Sequence, residues 1–318
     1  MKISVLDAAT LGNDLKEEIL KTFGKFGEVQ VRAATAPDEV GTSIADSDVL
    51  IVNKIRLNRS NLPAAKKLKL ICVAATGYDN IDTEYCEKNN IAVCNVVGYS
   101  THSVAQITVA MVLNLANHIP EYNEFVSLGD YTESGIANRL TPVYHELCGK
   151  TWGVVGAGNI GGQVAKIADA LGCRVIVNKR TPDKNYECVD IDTLCRNSDI
   201  ITIHTPLTDL TRNLINRDRI AMMKEDAILV NVARGAVCDE TALADAILAG
   251  KLGGLGIDVY SEEPFKEEHP FTKIMKCKNV CLLPHMAWGA YEARLRCVKT
   301  MGSNIESFLN GEKQNRVV

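Results

Sequence analysis

The chain has 318 residues, of which 46% are hydrophobic and 23% are charged, so it is too apolar to be disordered and long enough for two domains. Its 35 Lys and Arg residues against 39 Asp and Glu residues leave a net charge of −4, which argues against nucleic-acid binding. Polar side chains interrupt the most apolar longer segment, 104–119, and the N-terminus lacks a secretory signal pattern. We therefore expect a soluble cytoplasmic protein that binds small molecules, with no membrane or nucleic-acid partner.

The eleven cysteines are scattered without a CxxC pair, and most lie among Val, Ile or Leu. Cys277 and Cys281 are four residues apart, but no His or Cys pair with ligand spacing completes a tetrahedral metal site with them. We expect buried, reduced thiols and no bound metal.

Short β-branched runs alternate with helical segments along the whole chain, a pattern typical of parallel α/β folds. The first series of predicted strands covers 3–6, 49–52, 70–73 and 91–94, and the second covers 151–155, 174–177, 200–203, 228–231, 254–257 and 280–283. Strands that alternate with crossover helices predict two doubly wound parallel sheets.

An apolar helix is predicted between the two series, within 100–119, and its apolar residues occupy nearly all of its faces. Packing between two domains or against a second subunit would bury such a helix, so it predicts a homodimer. A closing helix is predicted over 291–309 and needs a partner surface. We expect it to return to the first sheet, which gives a substrate domain over 1–99 and 289–318 and an inserted cofactor domain over 100–288.

The clearest motif is Gly156-Ala157-Gly158-Asn159-Ile160-Gly161, which follows a predicted strand and opens a predicted helix. In such a unit the first glycine permits a tight turn, the second lets the backbone approach a pyrophosphate, and the third lets the helix meet the strand. The amides at the helix N-terminus attract phosphates. This context favours dinucleotide binding over a chance match of turn glycines.

The segment Asn178-Lys179-Arg180 follows the next predicted strand, where an NAD-binding site would place an acidic residue on the ribose 2′-hydroxyl. Lys179 and Arg180 offer cations that suit the 2′-phosphate of NADP instead. A solvated basic loop end is the alternative. The segment favours NADP(H), with NAD(H) as the second choice.

Three ionisable residues, Arg234, Glu263 and His285, come just after predicted strand ends, and the carboxyl ends of such strands line the ligand crevice. A guanidinium can bind a carboxylate through two hydrogen bonds, a histidine can exchange a proton near neutral pH, and a neighbouring glutamate stabilises the imidazolium. Carbonyl reduction requires this set. Each residue also has a structural alternative: a salt bridge for Arg234, a solvated loop position for Glu263 and a core position for His285. The dinucleotide motif upstream favours the catalytic interpretation.

The sequence resembles the D-isomer-specific 2-hydroxyacid dehydrogenases over essentially the whole chain. The segments that carry the resemblance are ATGYDNID at 75–82, SVAQ at 103–106, the glycine motif, HTPL at 204–207, NVARG at 231–235, GIDV at 256–259 and PH at 284–285. Within the family, ATGY, Gln106 and HMAW at 285–288 are most similar to the glycerate dehydrogenase or hydroxypyruvate reductase branch.

The resemblance implies a Rossmann dinucleotide-binding domain inserted into a flavodoxin-like substrate domain, with the active site in the cleft. It makes His285 the proton donor and acceptor, Glu263 its partner and Arg234 the clamp on the substrate. The further residues that it implies are Gly77, Tyr78 and Trp288 for the substrate, and Val104, Thr205, Pro206, Ala233 and Asp258 for the cofactor. A loop anchor, a packing aromatic and a strand-end cap are the alternatives for Tyr78, Trp288 and Asp258.

We therefore expect NAD(P)H-dependent reduction of a 2-keto acid to a D-2-hydroxy acid, and the reverse, with hydroxypyruvate or glyoxylate as the substrate. A D-lactate dehydrogenase or a reductase of branched or aromatic 2-keto acids is the alternative within the family. A dinucleotide-sensing protein similar to corepressors is the alternative from another class.

Overall fold

The structure is a computed structural model that describes residues 1–182 and 184–318. These residues form two compact units, one made of Met1–Ser100 with Gly289–Val318 and the other of Thr101–Trp288. Each unit is built on a parallel sheet with helices between its strands, so the predicted fold class is confirmed.

The first unit contains a parallel sheet whose described strands are β1 (Lys2–Val5), β2 (Glu28–Val31), β3 (Val49–Val52), β4 (Leu70–Val73) and β5 (Ala92–Cys94). Their spatial order is β2-β1-β3-β4-β5, the doubly wound order of flavodoxin-like folds. β3 and β4 are buried along their whole length, as expected for strands covered on both faces. The helices are α1 (Lys16–Phe23), α2 (Val40–Ile44) and α3 (Thr83–Lys88), with short 3-10 helices at Ala8–Leu11, Asn13–Leu15 and Leu62–Ala64.

The second unit contains a longer parallel sheet. Its described strands are β6 (Thr151–Val155), β7 (Arg174–Asn178), β8 (Glu187–Cys188), β9 (Ile200–Ile203), β10 (Ile228–Asn231), β11 (Gly254–Ile257) and β12 (Val280–Leu282). The order β8-β7-β6-β9-β10-β11-β12 is the dinucleotide-binding order, extended by one strand. The strand order reverses between β6 and β9, where such sheets bind ligands.

The second unit contains seven described α-helices, most of which pack against this sheet. They are α4 (Thr101–Ala116), α5 (Ile119–Ser127), α6 (Asp130–Ser134), α7 (Asn159–Ala170), α8 (Ile191–Asn197), α9 (Arg217–Met222) and α10 (Glu240–Leu248), with 3-10 helices at Gly235–Val237 and Pro270–Lys273. One apolar core contains residues of α4, α7 and β6, and another contains residues of α8, α9 and α10.

The apolar helix α4 is buried within its own unit, so neither a second domain nor a second subunit is needed to bury it. It packs against α7, β10 and β11. Met111 and Leu115 fit over strand glycines, since a Cβ at Gly256 would lie 3.1 Å from Met111 Cε and one at Gly254 would lie 3.4 Å from Leu115 Cβ. The glycines of β11 therefore make room for the helix.

The closing helix, α11 (Tyr291–Leu309), belongs to the first unit, where it packs on β4 and α1. Gly302 lies so close to α1 that a Cβ there would come within 2.6 Å of Thr22 Cγ2. Arg294 adds a two-pronged ion pair with Asp14, at 2.6 and 2.9 Å. The C-terminal helix thus packs in the same unit as the first sheet.

All eleven cysteines are free, and seven of them are buried. Burial raises the pKa of the Cys86 and Cys173 thiols to about 11, so both stay protonated at neutral pH. Cys148 and Cys188 are exposed, which corrects the expectation of buried thiols, because they lie in the segment before β6 and in a two-residue edge strand. No helix within 1–182 or 184–318 combines the length and apolar character needed to cross a membrane.

Candidate active site

The glycine motif forms the turn between β6 and α7. Gly156 has a φ of +89°, and a Cβ there would lie 2.9 Å from the backbone of His204 and Thr205. At Gly161 a Cβ would come within 2.1 Å of the Gly156 carbonyl oxygen, whereas the Cβ position of Gly158 has nothing within 4 Å. The turn is closed on the protein side and open beside its middle glycine, so it fits a dinucleotide pyrophosphate.

The neighbouring residues frame this opening. Asn159 and Ile160 form the first positions of α7, whose leading amides have no partner within the helix. Thr205 and Pro206 follow β9, the strand next to β6, and the Thr205 nitrogen adjoins Gly156. The predicted cofactor residues of these two strand ends are therefore brought together.

His204 directly follows β9, at the point where the strand order reverses. Both nitrogens of its imidazole ring are buried without a hydrogen-bond partner among the described residues. Burial lowers the pKa of His204 to about 3, so the ring is neutral at physiological pH.

The basic segment after β7 is joined to the glycine turn. The Asn178 carbonyl accepts the Gly156 N–H at 2.8 Å, and the Asn178 side-chain amide donates to the Val189 carbonyl at 2.9 Å. Lys179 is half-buried and Arg180 is exposed, one strand away from the open side of the turn. Both cations thus lie just after β7, the neighbour of β6 in the sheet; their contact with the adenosine ribose stays a prediction.

The other predicted groups lie at the carboxyl ends of three adjacent strands. Asn231 of β10 is in register with Ile257 of β11, which is in register with Leu282 of β12. Arg234, Asp258 and His285 follow these three ends, so they share one edge of the sheet. The Asn231 side chain shapes the first turn, because it accepts from the Ala233 N–H at 3.0 Å and donates to the Arg234 carbonyl at 2.9 Å.

Glu263 and His285 are in direct contact. The Nδ1 atom of His285 lies 2.6 Å from Oε2 of Glu263, and the two side chains are 22% and 28% exposed. The other Glu263 oxygen accepts the Tyr260 N–H at 3.1 Å. His285 has a φ of +53°, a strained conformation for this residue that the surrounding contacts must hold.

Asp258 connects β11 to the segment that carries the histidine. Its carboxylate is buried and accepts the N–H groups of Met286 and Ala287, at 2.7 and 3.0 Å. Burial raises the pKa of Asp258, while these hydrogen bonds oppose the shift. The geometry is that of a cap at the strand end; a contact with the nicotinamide carboxamide stays a prediction.

Val104 and Trp288 lie near the two ends of the second unit's chain. Val104 is buried in α4, and the preceding residue, Ser103, donates its hydroxyl to the Ala287 carbonyl at 2.6 Å. Trp288, next to Ala287, is half-buried. Their predicted contacts with cofactor and substrate stay predictions.

In the first unit, Gly77 and Tyr78 belong to the loop after β4. Two side-chain hydrogen bonds hold this loop in place. Asn95 Nδ2 donates to the Thr76 carbonyl and Asn80 Nδ2 donates to the Ile55 carbonyl, both at 2.8 Å. Tyr78 is 39% exposed, and its predicted contact with the substrate stays a prediction.

A family model described as "D-isomer specific 2-hydroxyacid dehydrogenase, NAD binding domain" matches residues 109–287. The chain belongs to this family. A hydroxypyruvate reductase from Blautia hydrogenotrophica is 33% identical to this D-2-hydroxyacid dehydrogenase over 100% of the chain and 99% of the relative. The predicted family is confirmed, and the protein is an oxidoreductase with a nicotinamide dinucleotide cofactor.

Solved structures give the same result for the fold. An acyclic imino acid reductase in complex with NADPH and D-Arg superposes with a TM-score of 0.89 at 29% identity, over 100% of both chains. D-Lactate dehydrogenase from Aquifex aeolicus, complexed with NAD and lactic acid, superposes with a TM-score of 0.87 at 26% identity, over 99% of this chain and 97% of the other.

Tyr260 is a site residue of this dehydrogenase that sequence reasoning missed. Besides its N–H bond to Glu263, its hydroxyl donates to the Leu283 carbonyl at 2.9 Å, two residues before His285. Burial raises the pKa of this hydroxyl above its ordinary value, so it is a stable donor. Its position between the predicted residues Asp258 and Glu263 was the available signal. No group of three or more His, Cys, Asp or Glu side chains in the described chain is placed to hold a metal.

Proposed function

We propose that this D-2-hydroxyacid dehydrogenase reduces hydroxypyruvate or glyoxylate to the corresponding 2-hydroxy acid and catalyses the reverse oxidation. The contact between Glu263 and His285, on the sheet edge that also carries Arg234, is the observation that supports this function most directly. The similarity to the hydroxypyruvate reductase of Blautia hydrogenotrophica supports the choice of hydroxypyruvate.

In the reductive direction His285 donates a proton to the substrate carbonyl oxygen. Because Glu263 holds Nδ1, the proton is transferred from Nε2, and the carboxylate stabilises the imidazolium before transfer. Arg234 binds the substrate carboxylate and the developing charge on the carbonyl oxygen. A bound reduced nicotinamide dinucleotide supplies the hydride.

The substitution His285→Ala tests this mechanism. Removing only the proton-transfer group lowers kcat by a factor of roughly 10² to 10⁴ while the dissociation constant of NADPH, followed by fluorescence, stays unchanged. Near-normal turnover in the variant would contradict the assignment. A wild-type protein that binds NADPH without oxidising it in the presence of keto acids would instead support the sensing alternative.

The substrate is tested by comparing kcat/KM for hydroxypyruvate, glyoxylate, pyruvate and phenylpyruvate. We expect hydroxypyruvate first, because a site that hydrogen-bonds its extra hydroxyl leaves those groups unpaired with pyruvate. We assign the amides around Gly77 and Tyr78 to the substrate carboxylate, as the family resemblance implies. A higher kcat/KM for phenylpyruvate would overturn the substrate proposal and leave the family unchanged.

NADPH is the proposed cofactor in preference to NADH. Lys179 and Arg180 follow β7, and the Asn178 carbonyl is bonded to the glycine turn, so the cations adjoin the expected ribose position. Charge-assisted hydrogen bonds to a 2′-phosphate support about 1 to 3 kcal/mol of preference, or roughly five- to 150-fold in kcat/KM. Solved relatives bind NADPH in one case and NAD in another, so the support for NADPH comes from Lys179 and Arg180 rather than from the family.

Steady-state kinetics with both cofactors test this preference. The double substitution Lys179→Asp with Arg180→Ala is expected to invert the preference, because an acid at 179 accepts from the 2′-hydroxyl and repels a phosphate. The wild-type ratio is expected to shrink as ionic strength rises. Equal efficiency with both cofactors, or no response to the double substitution, would contradict the proposal.

A homodimer is proposed on the basis of an apolar arm over 119–144. Leu128, Ile136, Leu140 and Val143 in this arm are each at least 63% exposed, more apolar surface than a monomer usually presents in one segment. A second copy of the chain is the proposed occupant.

A cytoplasmic location is proposed from the thiols. All eleven cysteines are free, and free thiols persist in reducing compartments. Cell fractionation against a cytosolic marker tests this; enrichment in a secreted fraction would contradict it.

A further inference from the structure

A polar cluster, two of whose three side chains are buried, lies beside the loop that carries Glu263. It contains Glu240, the first residue of α10, together with His269 and Ser261. The Glu240 and His269 side chains are only 9% and 7% exposed, and Glu240 Oε2 lies 3.1 Å from His269 Nε2. None of the three is part of the proton-transfer chemistry described above.

The hydrogen-bond pattern fixes the protonation of the cluster. The Nδ1 atom of His269 accepts the Phe271 N–H at 3.2 Å, so the ring proton is on Nε2 and is donated to Glu240. Glu240 also accepts the Ser261 N–H at 2.9 Å on Oε1, and the Ser261 hydroxyl on Oε2. The carboxylate thus has three donors, and its place in the first turn of α10 further favours the negative charge.

Aromatic rings hold the histidine in this orientation. The ring centroid of His269 lies 4.8 Å from that of Phe265 and 5.0 Å from that of Phe271, and the Phe265 ring lies 4.8 Å from that of Tyr260. The segment 260–271 therefore folds back on itself, and Glu240 binds both its beginning, at Ser261, and its end, at His269.

Ser261 is adjacent to Tyr260, which binds Glu263 directly and the backbone two residues before His285. Tyr260 donates its N–H to Glu263 and its hydroxyl to the Leu283 carbonyl, just before His285. Gly235 packs tightly against the peptide bond between Tyr260 and Ser261. A Cβ at Gly235 would lie 2.1 Å from the Tyr260 carbonyl carbon and 2.2 Å from the Ser261 nitrogen. A shift at Ser261 is therefore transmitted to Glu263.

We propose that Glu240, oriented by His269, is a positioning residue that holds Glu263 against His285. The inference rests on the proposed role of that pair in proton transfer. Replacing both partners of a buried hydrogen bond by apolar groups of the same shape can be nearly neutral for stability, so stability alone does not account for a buried carboxylate with three dedicated donors.

The substitution Glu240→Gln tests the proposal because an amide has a single acceptor atom. In the variant the amide NH₂ group faces either the Ser261 N–H, or the Ser261 hydroxyl and His269 Nε2. Because two donors then face each other, Ser261 is expected to move. We expect kcat for hydroxypyruvate reduction to fall by roughly tenfold to a hundredfold, while the NADPH dissociation constant stays unchanged. The high-pH limb of the reduction profile is expected to move to lower pH, since a displaced Glu263 stabilises the imidazolium less.

Other titratable groups around the pair are the same in wild type and variant. Asp258 is close enough to interact with both His285 and Glu263, and Tyr260 is close to Asp258, Glu263 and Cys281. Because Glu240→Gln leaves these groups in place, the comparison with Glu263→Gln isolates the path through Glu263.

The double variant Glu240→Gln with Glu263→Gln separates positioning from a general loss of structure. If Glu240 acts through Glu263, the pH limb of the double variant coincides with that of Glu263→Gln alone. Ser261→Ala removes the hydroxyl bond to Glu240 and keeps the N–H bond, so we expect a smaller shift of the pH limb in the same direction. Because Ser261 is exposed, this variant tests the proposal even if Glu240→Gln folds poorly. Glu187→Gln is the matched control, because Glu187 forms a surface ion pair with Arg174 and its side chain is 55% exposed.

A lower melting temperature in Glu240→Gln with unchanged kcat and an unchanged pH profile would overturn the positioning role. Shifts of the pH limb that add in the double variant would overturn it as well. An unshifted profile in Ser261→Ala together with an insoluble Glu240→Gln would also overturn it. If the wild-type protein reduces no keto acid, the proposed function itself fails, and the positioning role fails with it.

Discussion

Glu263 uses both carboxylate oxygens, one for His285 Nδ1 at 2.6 Å and one for the Tyr260 N–H at 3.1 Å. Replacement by glutamine keeps the size and removes the charge that stabilises the imidazolium. Keto-acid reduction needs the protonated ring, so Glu263→Gln is expected to move the high-pH limb of kcat/KM to lower pH. The measurement is a pH profile with saturating NADPH; an unmoved profile would show that the contact has no electrostatic role.

His204 makes folding depend on pH. Burial lowers its pKa to about 3, whereas the ring in the unfolded chain titrates near 6.5. The unfolded state therefore binds more protons in acid, so this contribution to stability is fully present above pH 6.5 and is lost as the pH falls toward 3. Between pH 7 and pH 4.5 the loss amounts to about 2 to 3 kcal/mol.

The substitution His204→Gln tests this dependence. The variant is expected to lose about 2 to 3 kcal/mol less than wild type between pH 7 and pH 4.5, whatever its stability at neutral pH. Urea unfolding followed by tryptophan fluorescence is suitable, because Trp152 and Trp288 both lie in the second unit. His145→Gln, at an exposed position, is the control; equal slopes for all three proteins would mean that His204 does not titrate on unfolding.

At the scale of elements, the turn between β6 and α7 depends on one close contact. A Cβ at Gly161 would lie 2.1 Å from the Gly156 carbonyl oxygen, a distance at which the backbone must shift. Gly161→Ala is therefore expected to raise the NADPH dissociation constant at least tenfold and to lower the melting temperature, because the helix moves away from the strand. Fluorescence titration and thermal unfolding give the two values.

The neighbouring glycine provides the matched control. The Cβ position of Gly162 has nothing within 4 Å, so alanine fits there and stabilises the helix by about 0.5 to 1 kcal/mol. We expect Gly162→Ala to bind NADPH like the wild type. Equal weakening of binding by both substitutions would mean that the space around the turn, rather than the contact at Gly161, limits affinity.

The elements that sequence reasoning missed are the ones with weak apolar patterns. β2 reads EVQV and is half-buried at a sheet edge, and β8 has only two exposed residues, so neither shows the continuous apolar run of a buried parallel strand. Glu263 and His285 could be predicted because each follows a strand end. Glu240 and His269 could not, since 29 residues separate them and only the folded segment brings them together.

The reason for the predicted dimer also changes at this scale. An apolar pattern shows that α4 is buried, but it does not show what buries it. The helix packs on its own sheet, and its exposed residues form one stripe, made of His102, Gln106 and Ala110. The exposed apolar surface lies instead in the arm over 119–144, which consists of α5, α6 and the segment after them.

At the scale of the whole molecule, the arm over 119–144 is held together by contacts within itself. Tyr122 packs edge-to-face on Tyr144 and donates its hydroxyl to the Pro142 carbonyl at 2.6 Å, while the Arg139 guanidinium lies 3.9 Å from the centre of the Phe125 ring. The connecting segment is thus fixed onto α5, and its apolar residues remain outside. Fixed, exposed apolar residues of this number are typical of an interface between subunits.

We therefore expect a homodimer by sedimentation at micromolar concentration, and we expect Leu128→Asp with Leu140→Glu to produce monomers, because two charges would be buried without partners. Leu210→Glu is the control: Leu210 is 83% exposed but lies outside the arm, so this variant should remain dimeric. The charged arm should also leave NADPH affinity unchanged, since the glycine turn lies elsewhere in the chain. A monomeric wild type would contradict the dimer, and a dimeric double variant would move the interface to another surface.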